Sequence, residues 1–181
     1  MCSKMPGKIQ DILQNTTPAC TIAISSQKAD ILAAVEELVE AGAGTGTASS
    51  QNINATWKLL WTTEKETLFI LKQARWFGTE AGDVYQVVDV PGGALNNVIT
   101  FQNGAAFIVD SSLDLDADNP QRLNFKFSGA KLKLPKRTVS LPPFGKGWFD
   151  TVYLGNKIRV AKDIRGDTLV VERDGAPRSF E

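Results

Sequence analysis

Three short strands joined by turns are written into residues 141–173, LPPFGKGWFDTVYLGNKIRVAKDIRGDTLVVER, and they commit the chain to an antiparallel sheet. Pro142 and Pro143 have a fixed φ and no backbone donor, so no central strand runs through them. Gly145 and Gly147 bracket Lys146 in a turn that needs permissive dihedrals. Residues 148–154 then run up to Gly155-Asn156, which reads as a two-residue hairpin turn. Lys157-Ile158-Arg159-Val160-Ala161 alternates polar and apolar as a half-buried strand does. Arg165-Gly166-Asp167 turns the chain again before a last strand at residues 168–173. A meander of this kind closes an antiparallel barrel or a curved sheet.

The same grammar runs upstream. A first strand over residues 54–63 puts Trp57, Leu59 and Trp61 on one face and Lys58, Leu60 and Thr62 on the other. Glu64-Lys65-Glu66 reads as a charged turn, and residues 67–71 as a strand or short buried segment. Residues 73–77 carry Trp76 and Phe77 in a loop suited to a barrel mouth. Residues 83–89 form a strand with Val84, Gln86 and Val88 on one face and Tyr85 and Val87 on the other. Further strands are expected over residues 95–101, 105–111, 122–127 and 130–134, with Asn103-Gly104 as a hairpin turn and Ser128-Gly129 as a strand end. At least eight strand candidates at this spacing predict an all-β barrel whose interior is filled or holds one small ligand.

One helix precedes them. Ser25 or Ser26 is an N-cap for residues 27–41, where Ile31, Leu32, Val35, Leu38 and Val39 make one apolar stripe. That stripe packs on the barrel or faces a partner or a membrane. Gly42 suits the C-cap, and residues 43–50 read as a flexible Gly-rich linker. The chain therefore divides into an N-terminal segment at 1–25, flexible or a short helix near 7–13, helix and linker at 26–50, and a β-barrel at 51–181.

Lys plus Arg equals Asp plus Glu at 20 each, so no global basic field attracts nucleic acid, and no nucleic-acid partner is expected. The absence of histidine removes the usual general base, metal ligand and Ser-His-Asp triad. Cys2 and Cys20 are too few for an all-cysteine zinc site; they are free thiols or a bridged pair. Asp114, Asp116 and Asp118 alternate like the start of a calcium loop, but Asn119 and Phe125 stand where that loop needs Gly and Glu. No cofactor and no metal are expected. No apolar run approaches the roughly 20 residues a membrane helix needs. Lys131, Lys133, Lys136 and Arg137 are the only dense basic cluster, either a solvated face or a contact for lipid headgroups or an acidic partner.

The run PPFGKGWFDTVYL with its IRVAKDIRGDTLVVER ending resembles the C-terminal signature of the plastid lipid-associated proteins, the PAP/fibrillin family. WKLLWTTEKE at residues 57–66, the Tyr85-Gln86 pair and Leu95-Asn96-Asn97-Val98-Ile99 are similar to further segments of that family. The resemblance covers roughly residues 30–173 and implies a lipocalin-like β-barrel that binds lipophilic molecules in chloroplasts or cyanobacteria. It places Arg173 over Trp57 as a structural contact at the closed end. Ala55 stands where the lipocalin Gly-x-Trp motif has glycine. Residues 1–25 lack the Arg-rich, acid-poor character of a whole plastid import sequence.

These readings make the protein a non-enzymatic carrier or scaffold for isoprenoids, carotenoids or other lipids at thylakoid or plastoglobule. The candidate inward set is Trp57, Leu59, Trp61, Phe107, Phe125, Phe127, Phe149 and Tyr153, with Arg159, Gln86 and Tyr85 as polar contacts. The partners are a lipophilic small molecule, a peripheral lipid or membrane surface, and a possible protein. Two other classes remain open: a filled barrel acting on lipid surfaces or enzymes through its exterior, and an enzyme using Asp150 or Asp163 for acid-base work.

Overall fold

The computed structural model describes residues 25–42, 46–73, 79–142 and 145–180. The helix expected near residues 7–13, both cysteines and the loop carrying Trp76 and Phe77 lie outside them. Among the described residues nine strands form one antiparallel sheet: β1 (Ala55–Thr62), β2 (Ala81–Asp89), β3 (Ala94–Phe101), β4 (Ala106–Leu115), β5 (Arg122–Leu134), β6 (Arg137–Leu141), β7 (Lys146–Leu154), β8 (Ile158–Asp163) and β9 (Thr168–Arg173). Each strand pairs with its sequence neighbour, except that β5 skips to β7 and β1 meets β9. Because β4 also pairs with β5, β1–β5 and β7–β9 close into a ring, and β6 hangs as a hairpin on the second half of β5.

Cross-strand partners share a face, so the registers assign every side chain to one side of the ring. One buried cluster draws Trp57, Val88, Leu95, Leu113, Leu123, Phe149, Ala161 and Val171 from eight strands all round the sheet, which makes theirs the inner face. Four register slips interrupt the alternation; one lies at the start of β2 between Ala81 and Val84, and the other three redirect β1, β7 and β5. Between Leu59 and Trp61 the β1–β9 register slips, so Trp61 pairs with Val170 on the outer face while Trp57 and Leu59 stay inside. A slip between Thr151 and Tyr153 likewise sends Tyr153 outward, opposite Val160. The expectation that Trp57, Leu59 and Trp61 share a face, and that Tyr153 points inward, fails because an extra residue in one strand inverts every side chain beyond it. The third bulge, at Ser128, replaces the expected strand end: β5 bends there and continues, its first half paired to β7 and its second to β6. β4 likewise continues through Asp114. Asp116 beyond it accepts from Asn124 Nδ2 and the amides of Asp118 and Asn119, which hold its carboxyl below the usual range and fold the acidic loop back on itself.

Among the described residues two segments cover the outer face. Helix α1 (Ser25–Gly42) buries Ile31, Ala34, Val35 and Leu38 against Trp61, Ile158, Val160 and Val170, so its apolar stripe is core rather than a free docking surface, while Glu36, Glu37 and Glu40 face solvent. Both serines read as caps lie inside its first turn. On the other side the C-terminal tail, which has no regular pattern, lies across β1–β4. Thr56 donates to Gly175 O and Ala176 O, and Phe180 stacks on Tyr85 with centroids 4.9 Å apart, beside Val98, Ala106 and Ile108. Phe180→Ala is expected to lower stability by about 1–2 kcal/mol, less than for a fully buried ring because Phe180 is half-buried. Urea titration followed by circular dichroism measures it, and an unchanged midpoint would show the tail to be dispensable.

Two local readings change. Residues 65–73 form helix α2 (Lys65–Gln73), not a strand, and its Phe69 is 61% exposed. Thr62 Oγ1 accepts from Glu64 N and Thr67 Oγ1 donates to Glu64 Oε2, so the start of the helix is closed by side chains, and Lys65, Leu68, Leu71 and Lys72 are good helix formers. The supposed linker is packed where it is described: Thr47 donates to Thr151 O at 2.7 Å, Ala48 N donates to Pro120 O, and Ala48 and Ile53 are fully buried in the inner cluster. Residues 46–53 therefore plug one end of the ring. Thr47→Val is expected to cost about 1 kcal/mol by stranding the buried Thr151 carbonyl, read as a shift in thermal midpoint.

Candidate functional site

The inner face is built from alternate residues of the closed strands, and its packing is uneven. At the plugged end Trp57, Leu95, Leu123 and Phe149 are buried with Ala48 and Ile53. Toward β6 the inward positions loosen. Val84, Phe107, Phe127 and Leu132 are half-buried, and beyond them Val139 and Leu141, opposite Leu132 and Ala130, are 36% and 41% exposed.

Trp57 is held by three contacts. Its Nε1 donates to Ile53 O at 2.9 Å; Arg173, its partner on β9, lies with Cζ 4.5 Å from the ring centroid; and Arg159 Cζ lies 5.4 Å from it. Arg173 spends its donors on Asn156 O and Asn52 O, which ties β9 to the hairpin turn and the plug. That turn lies one residue later than Gly155-Asn156: Gly155 N donates to Ile158 O, with Asn156 and Lys157 between them. Burial lowers the Arg173 pKa.

Arg159 stands at the centre of the polar part. The register pairs it with Val171 and Leu154 on the inner face, and its guanidinium lies 5.4 Å from both the Trp57 and Phe149 rings. It is 0% exposed. Nη2 donates to Gln86 Oε1, and Gln86 Nε2 donates to Asn97 Oδ1 at 3.0 Å, so three strands contribute to one polar chain. Among the described residues Nε and Nη1 have no acceptor. Burial pushes the guanidinium down to about 9, against a weaker opposing pull from Glu64, so it stays cationic at neutral pH. The other buried side-chain atoms without a partner among the described residues are the hydroxyls of Ser111 and Thr151, and both residues also face inward.

Of the residues singled out from sequence, the structure gathers Trp57, Leu59, Gln86, Phe107, Phe125, Phe127, Phe149 and Arg159 on the inner face. Trp61 and Tyr153 lie outside under α1, and Tyr85 lies outside under the tail, where its hydroxyl donates to Asp83 Oδ2. Ser111, Thr151 and Asn97 were missed. Parity would have found Thr151, two residues from Phe149. Asp150 accepts a bidentate pair from Arg122, which stacks on Trp148 at 3.6 Å, and Asp163 Oδ1 closes the β8–β9 turn on the amides of Arg165 and Asp167. Both carboxylates are engaged in holding the fold. Within the basic cluster, Lys131 pairs with Asp110 at 3.3 Å and Lys133 donates to Phe180 O.

A ring-closed antiparallel sheet that seals aromatic side chains together with an arginine defines the class: a mainly β protein with an apolar, internally cationic inner face. The chain belongs to the PAP/fibrillin family, whose profile matches residues 5–172. It is 52% identical over 144 residues, 80% of this chain, to a protein of Arabidopsis thaliana named Probable plastid-lipid-associated protein 11, chloroplastic. The alignment covers 66% of that relative, just under two thirds of its length. No solved structure matches.

Proposed function

We propose that the protein is a non-enzymatic, lipocalin-like carrier or scaffold for lipophilic molecules in the plastid, working at thylakoid or plastoglobule lipid. The observation that carries this reading is the inner face: apolar side chains enclosed by the ring at one end and left part-exposed around Phe107, Phe127, Leu132, Val139 and Leu141 at the other. Apolar surface turned inward and incompletely covered by the described residues suits a bound apolar molecule. Membership of a lipid-associated family and a chloroplastic relative support the setting. The test is native mass spectrometry after incubation with a plastid lipid extract. One isoprenoid, pigment or acyl lipid retained per chain is the expected result; a clean apo mass from folded protein would overturn the reading.

A second reading has its own observation. Phe69 on α2 and Ile164 in the β8–β9 turn are 61% and 54% exposed, and a Thr63 Oγ1–Asp167 Oδ1 hydrogen bond of 2.8 Å ties the two segments together. In this reading the pair inserts into a lipid surface, and the protein acts through its exterior. A Phe69→Ser, Ile164→Ser double variant is then expected to lose co-flotation with galactolipid vesicles; unchanged flotation would remove the idea.

A further inference from the structure

The polar atoms left without partners on the inner face share one chemistry. Arg159 offers N–H groups on Nε and Nη1 and accepts nothing, while the Thr151 and Ser111 hydroxyls can donate. A buried cation that donates to a neutral amide, lies against two aromatic faces and feels a pull from Glu64 weaker than the cost of burial is destabilising, because its charge is removed from water with little compensation. Asp150 and Asp163 are committed elsewhere, and Arg173 directs its donors to backbone carbonyls. The inner face thus holds a buried positive charge with two undirected N–H groups, a hydroxyl donor on the neighbouring β7 at Thr151 and another across the ring on β4 at Ser111.

An apolar path leads away from that charge. Arg159 lies over Phe149, Phe149 is 6.3 Å from Phe125 between centroids, and Phe125 is 5.4 Å from Phe127. Burial decreases along the row, from buried Phe149 to half-buried Phe125 and Phe127. Gly147 and Gly145 make room for its two outer rings: a Cβ at Gly147 would stand 2.9 Å from Phe125, and one at Gly145 would stand 3.0 Å from Phe127. The row ends toward exposed Leu141.

We infer that the inner face binds an amphiphile with a single anionic head, a long-chain carboxylate, seated on Arg159 with Thr151 and Ser111 assisting, its chain lying along Phe149, Phe125 and Phe127. This rests on the carrier reading and narrows its ligand class. One guanidinium matches one negative charge; a doubly charged phosphate monoester would leave a charge unmet. A guanidinium–carboxylate pair is strong where water is excluded, and it supplies the acceptors that Nε and Nη1 lack.

The experiment is isothermal titration of the full chain with oleate and with oleyl alcohol, which share a chain and differ in the charged head. Wild type is expected to prefer oleate by about tenfold to a hundredfold, the usual effect of a hydrogen bond to a charged group. Arg159→Met should bind both ligands alike and melt, without lipid, no lower than wild type, because it removes a poorly compensated buried charge. Thr151→Val, nearly isosteric and breaking no existing hydrogen bond of that hydroxyl, should stay folded and weaken oleate alone by a few-fold. Equal binding of both ligands by wild type overturns the anionic-head assignment and leaves the carrier reading standing. Binding of neither overturns both. An Arg159→Met protein that melts far below wild type, together with an oleate preference unchanged in Thr151→Val, assigns these residues to packing and overturns the site.

Discussion

Trp57→Ala is expected to remove about 3–5 kcal/mol of stability, close to the whole margin of many single domains. The indole is fully buried at the plugged end of the ring, where β1, β8, β9 and residues 46–53 meet. Its loss leaves a cavity, strands Ile53 O without the Nε1 donor, and takes away the ring against which Arg173 and Arg159 both rest. For a chain of this length that corresponds to roughly 6–20 °C in melting temperature. Chemical denaturation followed by far-ultraviolet circular dichroism measures it. A loss below about 1.5 kcal/mol would mean that the plug does not depend on the indole. A double-mutant cycle with Arg173→Met should give a coupling of about 0.5–2 kcal/mol, the range for a cation over an aromatic face.

The second large effect is expected at Gly147. Its backbone runs under the Phe125 ring, and a Cβ there would stand 2.9 Å from Phe125 Cζ, nearer than side-chain atoms approach one another. Gly147→Val should therefore cost about 2–3 kcal/mol by forcing the ring off its rotamer or β7 away from β5. The penalty is specific to that ring, so in a Phe125→Leu background the same substitution should cost less than half as much. If the cost is the same in both backgrounds, backbone preference at residue 147 rather than the ring overlap is responsible. Because Phe125 belongs to the aromatic row leading from Arg159, Gly147→Val should also weaken binding of a lipophilic ligand.

Much of this was readable before any coordinate. The 3.6-residue stripe of α1, the alternation in β2 and β3, and the turns at Asn103-Gly104 and around Gly166 are local patterns, and the structure keeps them because nothing distant competes. Arg159 and Gln86 were legible as polar residues in apolar strands; of the two glycines read as a turn around Lys146, only Gly145 has a positive φ, while Lys146 and Gly147 already pair with β5 as the start of β7. What failed did so for identifiable reasons. Alternation counts residues along one strand, whereas a bulge is a property of two, so Trp61 and Tyr153 were assigned to the wrong face. Residues 67–71 are apolar enough for a strand, yet the side chains of Thr62 and Glu64 start a helix. Residues 46–50 look like a spacer by composition but find a hollow to fill, and the tail has no periodic signal although Phe180 covers part of the sheet.

The sequence by itself determined that this chain is an antiparallel β protein with one packed helix, and which side chains share a face between bulges, because turn chemistry and periodicity act within a few residues. Only the tertiary structure decided which face is inside. β8 shows why. Lys157-Ile158-Arg159-Val160-Ala161 alternates like a strand with one wet face, yet residues 158–161 are buried on both sides. Helix α1 takes the Ile158 and Val160 side, and the closure of β4 on β5, far along the chain, encloses Arg159. A charge that local pattern would place in water is sealed from it by pairings between distant residues, and that sealing gives the inner face its buried guanidinium.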